Sequence, residues 1–469
     1  MEGLDVTVLK LSEVRADNEK FRVDDGYFSK LPILTQRLVE ALPHLRLGAV
    51  CAVFRKGIFD IKAGSYTETG VPFVRIGNLR NGLIDSKDLT YITPAAHTAE
   101  SKTALEFGDI VLSKTAYAAA SFVNLTQCNV SQDTIAVRLS SAGHKQFKSG
   151  FIVTYLNSRY GLALMERHFQ GNVQTHLSLP DGRKVPVPLF SKGLQNATDK
   201  AVRDAHAQIL DAELQMEQAT VTLTAALGLD NWQPPEPLTY TRRMSEAFAA
   251  RRLDSQYFAP RVAELLARLG TGGRTMRDAA THRQEKFVPG RNGMFRYIEI
   301  SDVRSDGTTI CETVPMREAP SRATWYVRAG DVLTSTVRPN RRLSALVMPE
   351  QDGCIASSGF VVLKPQSVPA EVLLTYLRLP LFCELMDLHT SASLYPAISD
   401  KDLLALPYPE ILPKTQEGIV AAIQSAHGAR KRAHTMLDNA KRAVEIAIEQ
   451  SEAAALTFLT SFKSGADYA

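Results

Sequence analysis

Arg75, Asn78 and Arg80 crowd around Gly77, Lys114 closes an apolar β-branched run, and Asn172, Gln174 and His176 stand together after a helical stretch. Arginine and lysine can donate to guanine O6 and N7, and asparagine and glutamine can pair bidentately with adenine. A second group lies further along the chain: Arg304, then Arg338, Asn340, Arg341 and Arg342 in one loop, then Ser391, Ser393 and Tyr395 after another helical stretch. Three arginines within five residues suit a phosphate clamp, which positions a duplex without reading it. Taken singly, each of these side chains reads as an ordinary solvated polar residue. Their weight comes from recurring at equivalent places with different identities, as two readings by one architecture require.

Groups for covalent chemistry are not assembled in the sequence. No Asn/Asp-Pro-Pro-aromatic tetrad of an amino-methyltransferase occurs, and no adenosylmethionine-type glycine loop follows a strand. Gly270-Thr271-Gly272-Gly273 lacks the Lys-Ser/Thr of a phosphate loop and is expected to end the helix through Leu269. His168 and His176 are not at a helical metal spacing. Asp24, Asp25 and Asp254 lie beside Arg22 or Arg252, where a structural ion pair is the expected role. The expectation is a chain with no catalytic residue and no metal ligand of its own.

The elements that must position the polar groups occur twice. Arg22-Val23-Asp24-Asp25-Gly26-Tyr27-Phe28 is echoed 230 positions later by Arg252-Leu253-Asp254-Ser255-Gln256-Tyr257-Phe258. Arg75-Ile76-Gly77-Asn78-Leu79-Arg80 faces Glu299-Ile300-Ser301-Asp302-Val303-Arg304, and each is followed by a glycine, Gly82 or Gly307. Gly108 to Lys114 matches Gly330 to Thr336, Thr154-Tyr155-Leu156 matches Thr375-Tyr376-Leu377, and Val185-Pro186-Val187-Pro188 matches Leu406-Pro407-Tyr408-Pro409. The offset drifts by a few residues and never reverses, as in a tandem duplication with loop insertions. Short β-branched runs separated by glycine and asparagine turns predict mixed α/β regions, each ending in a helix, over Phe151 to Phe169 and Glu371 to Leu388. The openings predict helices through Leu31, Leu34, Leu38 and Leu42, and through Val262, Leu265, Leu266 and Leu269.

Two longer helices complete the anatomy. Val202, Ala205, Ile209, Ala212, Met216, Ala219, Leu223 and Ala226 step by three and four, the seam of a helix that lies along another. Gly228 and the Pro234, Pro235, Pro237 cluster end it. Ile419, Ile423, Ala426, Ala433, Leu437, Ala440, Val444 and Ala447 form a matching seam, interrupted by Arg430. An antiparallel coiled-coil pair with pseudo-two-fold symmetry is the simplest arrangement. The expected organisation is an opening segment (1–44), a first globular region (45–192), a central helix (193–228), a linker with the second opening (229–270), a second globular region (271–411) and a C-terminal helix (412–469).

Composition sets wide bounds. The 469 residues, 45% of them apolar, suit several domains, and a net charge of +4 permits a nucleic-acid partner without demanding one. Five scattered cysteines without Cys-x-x-Cys indicate neither a disulfide framework nor a zinc site and fit a reducing cytoplasm. The N-terminus lacks a basic leader with an apolar core, and no run of 18 apolar residues occurs, so neither export nor membrane association is expected.

The pattern Val-Pro-Phe-Val-Arg-Ile-Gly-Asn-Leu-Arg-Asn-Gly-Leu-Ile-Asp at 71–85, with Gly-Asp-Ile-Val-Leu-Ser-Lys at 108–114, resembles the target-recognition domain of specificity subunits from type I restriction-modification systems. The tandem order, the two helices and the Arg-Leu-Asp-x-x-Tyr-Phe opening are similar to that family over nearly the whole chain. The second region departs from the pattern, with Glu299-Ile300-Ser301-Asp302 for Arg-Ile-Gly-Asn and Thr336 for Lys114. The resemblance implies two target-recognition domains that read a bipartite, asymmetric site in double-stranded DNA. It also implies two methyltransferase subunits that methylate adenine N6 with S-adenosylmethionine, and translocase-nuclease subunits that bring ATP and Mg2+. No cofactor is implied for this chain itself. Two alternatives stay open: the specificity subunit of a type IIB-like methylase-nuclease, and a scaffold that binds no DNA.

Overall fold

The computed structural model describes residues 7–15, 18, 21–80, 82–86, 88–171, 175–390 and 396–464. The chain divides into two compact units, Met1–Ile209 with Arg430–Ala469, and Leu210–Ala429. Each unit holds one globular region and part of each long helix.

In the first unit, Cys51–Lys56, Thr134–Leu139, Ile110–Ser113, Ala120–Phe122, Leu83–Ile84 and Leu79–Arg80 form one sheet in that order. A second sheet runs Tyr66–Thr67, Thr90–Ile92, Val71–Val74, Gln127–Val130, Leu105–Glu106. Strands of the first sheet such as Ile110–Ser113 are buried at every position, which accounts for their uninterrupted apolar run. The second unit repeats the plan with fewer strands. Ala280–His282, Phe360–Pro365, Val332–Ser335 and Ser344–Leu346 form one sheet, and Glu312–Pro315, Met294–Ile298, Ile355–Ser357 and Ala323–Tyr326 the other. Parallel pairing occurs at the same place in both, Asn129 opposite Phe73 and Tyr297 opposite Ile355.

The duplication extends to individual hydrogen bonds. The buried Tyr155 hydroxyl donates to the Pro186 carbonyl at 2.7 Å, and that of Tyr376 to the Pro407 carbonyl at 2.7 Å. Ser178 and Ser399 cap short helices by accepting from the N–H of Asp181 and Asp402, and donate to those same carboxylates. At the openings, Arg22 pairs with Asp24 and Arg252 with Asp254. Each arginine lies over a tyrosine ring, Tyr27 or Tyr257, and donates to a helix-end carbonyl, Arg167 or Leu388. His168 and His389 meet those rings edge-on.

The long helices span Lys192–Ala226 and Pro413–Glu449. In the first unit, Val202 and Ala205 share a core with Ala433, Leu437 and Val444. There the Ser191 N–H donates to Glu452, and Arg432 to Gln208, so the two helices run antiparallel. In the second unit, Ala219 and Leu223 meet Ile419, Ala422 and Ile423, while Ala212 meets Ala426 and Ala429. Alanines at most contact points allow close helix approach. The first helix closes at Gly228, whose φ of +64° suits glycine, with the Leu229 N–H reaching back to the Thr224 carbonyl.

Two expectations need correction. The helix over Lys30–Glu40 buries Ile33, Thr35 and Val39, while Leu31, Leu34 and Leu38 face out. The 3.6-residue period identified a helix, but two apolar faces compete on it and the sequence does not say which one packs. The single terminal helices are each two, Ser149–Leu156 with Arg159–Arg167 and Ala370–Leu377 with Pro380–Leu388. Ser158 caps the second helix of the first pair by accepting from the Gly161 N–H, and Pro380 starts its counterpart.

Candidate nucleic-acid interface

Three loops of the first region converge. The Thr175 carbonyl accepts from the Ala116 N–H and the Lys114 carbonyl from the Leu177 N–H, stitching the loop after Ile110–Ser113 to the segment carrying His176. The Tyr117 hydroxyl donates to the Ile76 carbonyl at 2.8 Å, tying in the Arg75–Arg80 turn. Arg75, Arg80 and His176 are exposed and Lys114 is half-buried. Arg75 donates to the Asp88 carbonyl and Arg80 to the Gly77 carbonyl, so both arginines brace their own loops as well as facing water.

Asn78 does not belong with them. It is 4% exposed, its Oδ1 accepts from the Arg75 N–H at 3.0 Å and its Nδ2 donates to the Asp85 carbonyl at 3.2 Å. An amide committed at both ends to its own turn cannot pair with a base unless the turn opens. Asp302 does the same work in the second region by accepting from the Glu299 N–H at 2.7 Å. Asn172 and Gln174, with Ser391, Ser393 and Tyr395, lie outside the described residues.

The second region builds the same junction with different side chains. The Arg338 N–H donates to the Pro396 carbonyl as that of Ala116 does to Thr175, and the Ile398 N–H to the Thr336 carbonyl as that of Leu177 does to Lys114. Ala116 and Arg338 both have positive φ, +62° and +50°. Arg342, at φ +59°, is the other non-glycine residue of that loop in the left-handed region. Left-handed backbone at such residues costs on the order of 1 kcal/mol each and is held by its surroundings. Here the holding is visible: Arg342 donates to the Arg378 carbonyl, and Arg378 donates back to the carbonyls of Arg342 and Ser344, each at 2.9 Å. Arg342 therefore fixes the loop, Arg338 is half-buried, and Asn340 and Arg341 stand exposed at its tip. Arg304 is half-buried at the end of the neighbouring turn.

Burial first, then the Lys56 charge, holds the Lys114 ammonium below the usual lysine value, with Asp133 opposing. Sequence reasoning missed Lys56, which lies 4.4 Å over the ring of the exposed Phe59, and it missed Tyr117. The available signal was a basic residue or an exposed aromatic within three positions of a strand end. Burial pushes the Tyr117 hydroxyl up in pKa, with Arg80 opposing, so at neutral pH it is a protonated donor.

No protein-family model matches the chain, and no curated protein matches it. Among solved structures, the chain is similar to the S subunit of a type I restriction-modification system from M. genitalium, at 12% identity and a TM-score of 0.35, covering 89% of this chain and 95% of that one. A structure from a study of complex assembly and conformational transition of the type I R-M system is 17% identical over 89% of this chain and 98% of that one, with a TM-score of 0.26. The HsdS subunit from Thermoanaerobacter tengcongensis is 17% identical over 85% and 96%, with a TM-score of 0.25. At these identities and superposition scores, function has to be read from the chain's own residues.

Proposed function

We propose that this protein is the DNA-reading specificity subunit of a type I restriction-modification complex. Each globular region takes one half of a bipartite, asymmetric duplex site, and the partners act on it: two N6-adenine methyltransferase subunits using S-adenosylmethionine, joined by ATP- and Mg2+-dependent translocase-nuclease subunits. The observation that carries this reading is the duplicated loop junction. The same backbone hydrogen bonds hold Lys114 and Ala116 in one region and Thr336 and Arg338 in the other. One scaffold thus offers two different sets of side chains, which an asymmetric site requires and a repeated structural adaptor does not.

Arg75, Arg80, Lys114 and His176 would contact one half-site, and Arg304, Arg338, Asn340 and Arg341 the other, with Arg342 holding the second loop. Asn172, Gln174, Ser393 and Tyr395 remain assigned to the same loops on their sequence positions. Equivalent exposed apolar residues at the two openings, Val23 (86%) and Leu253 (83%), suit two copies of one partner. Its five free cysteines suit the cytoplasm.

The long helices link the two readers, so lengthening both should change the gap and leave the half-sites alone. A heptad inserted after Gln218, matched by one after Ile423, adds about 10 Å, or roughly three base pairs. Methylated sites would be sequenced in cells carrying the variant and its methyltransferase. The reading predicts the same two half-sites with a longer gap; an unchanged gap with full methylation overturns it.

A further inference from the structure

The first region holds a single buried thiol where the second holds a pair. Cys128, in the strand Gln127–Val130, and Cys354, one residue before the strand Ile355–Ser357, hold equivalent positions, since Val130 pairs with Val74 and Ala356 with Ile298. After the parallel partner strands Val71–Val74 and Met294–Ile298, the Asp85 N–H donates to the Asn78 carbonyl, and the Ile310 N–H to the Asp302 carbonyl. The next residue is Ser86 in one region and Cys311 in the other. The Cys311 and Cys354 sulfurs are 3.1 Å apart, although 43 positions separate the residues. Cys354 is buried and Cys311 half-buried, so Cys311 is the more exposed residue of the pair.

Arg296 lies beside this pair. Its Nη2 donates to the Glu350 carbonyl at 2.5 Å and approaches the Cys311 sulfur at 3.6 Å. A guanidinium fixed there favours a thiolate on Cys311. The hydrogen bond shared with Cys354 and then the Arg296 guanidinium hold the Cys311 thiol low against the opposing effect of burial, while Cys354 is pushed high. The other three cysteines lack this setting, and burial pushes Cys51 and Cys128 up to about 12 and Cys383 to about 11.

We propose that Cys311 and Cys354 form a peroxide-reactive dithiol in the second globular region, with Cys311 as the attacking sulfur and Cys354 as the resolving one. The Cys311 thiolate attacks one oxygen of hydrogen peroxide; the O–O bond breaks, hydroxide leaves, and Cys311 becomes a sulfenic acid. The Cys354 sulfur then attacks the Cys311 sulfur, an S–S bond forms, the S–O bond breaks, and the departing hydroxide takes the Cys354 proton as water. Two thiols and one peroxide give one disulfide and two waters, with two electrons passing from sulfur to oxygen. Closing from 3.1 Å requires the sulfurs to move together by about 1 Å. The duplication supplies the control, because the first region has Ser86 at the position equivalent to Cys311 and so no thiol there to pair with Cys128.

The test treats the full chain with hydrogen peroxide at neutral pH, blocks free thiols, and maps peptides without reduction by mass spectrometry. The expected product is one cross-link joining Cys311 to Cys354, with Cys51, Cys128 and Cys383 recovered as blocked thiols. Cys311→Ser should lose the cross-link and leave Cys354 reduced. Cys354→Ser should instead accumulate a Cys311 sulfenic acid that a dimedone probe captures. Wild-type protein in which Cys311 is over-oxidised while Cys354 stays free, or in which all five thiols react at one rate, overturns the proposal.

Discussion

Asp109 and Asp331 occupy the same position in the two globular regions, and each accepts a backbone N–H three residues upstream, from Glu106 or Arg328. Their counter-ions differ. Arg138 comes from the strand Thr134–Leu139, whereas Arg283 follows the strand Ala280–His282, which pairs with the equivalent strand Phe360–Pro365. The second ion pair is the more buried, with side-chain exposures of 2% for Asp331 and 21% for Arg283 against 9% and 34% in the first. Backbone hydrogen bonding and the acidic position are thus shared, while the arginine that neutralises the carboxylate comes from a different element in each region. The loop junctions divide the same way, with shared backbone bonds and exchanged tips. What the fold needs recurs, and what faces outward diverges.

That contrast can be broken first at the carboxylates. Asp331→Ala leaves Arg283 with an unpaired charge and should cost the second unit about 3–5 kcal/mol in chemical unfolding. Asp109→Ala should cost distinctly less, because Arg138 is a third exposed and water takes over part of the pairing. Equal losses would mean that the difference in burial is energetically silent.

His168 gives the next largest effect. Burial chiefly holds it neutral, its pKa lowered from 6.5 to about 4, with Asp181 opposing. The unfolded state therefore binds the extra proton between those values, and stability should fall as pH drops through that window, by up to about 3 kcal/mol. His168→Asn should flatten that slope in thermal unfolding measured across the window; a wild-type slope in the variant would assign the effect elsewhere.

Tyr155→Phe and Tyr376→Phe remove equivalent buried hydroxyls from proline carbonyls, and each should cost roughly 1–2 kcal/mol by denaturant titration. Here the two regions should agree; a clear inequality would show that identical bonds carry different weight.

Asp24 and Asp254 should give the smallest change. Hydrogen bonding to Arg22 and Arg252 is the first cause that lowers each carboxyl below 3.8. Their contribution is present above that value and is lost as pH falls through the lower folded value. The gap in melting temperature between wild type and Asp254→Asn should therefore close in acid, and a gap that persists at the lowest pH would assign the effect to something other than charge.

The duplication, the helix seams and the β-branched core strands such as Thr134–Leu139 and Phe360–Pro365 were legible because they repeat with periods that packing imposes. Val202, Ala205 and Leu223 are buried as their spacing requires, and so are Ile419, Ile423 and Leu437. The Arg22–Asp24 and Arg252–Asp254 pairs were legible for another reason, being only two residues apart. What stayed hidden depended on distant partners. Nothing local to Arg342 reveals the exchange with Arg378, whereas the inward turn of the Asn78 amide is a short-range capping contact that polar residue type alone does not distinguish from an exposed side chain. Lys56 reaches the neighbourhood of Lys114 only through the pairing of strands remote in sequence. The Cys311–Cys354 approach depends on the same kind of long-range register.

Equilibrium binding of the full chain to duplex DNA over roughly 50–200 mM salt tests the two-reader account most directly. The account predicts that affinity falls linearly on a log-log plot, and that Lys114→Ala in one region and Arg341→Ala in the other each make the slope shallower by about 1. A chain with no DNA affinity at low salt, or two variants that keep the wild-type slope, would contradict it.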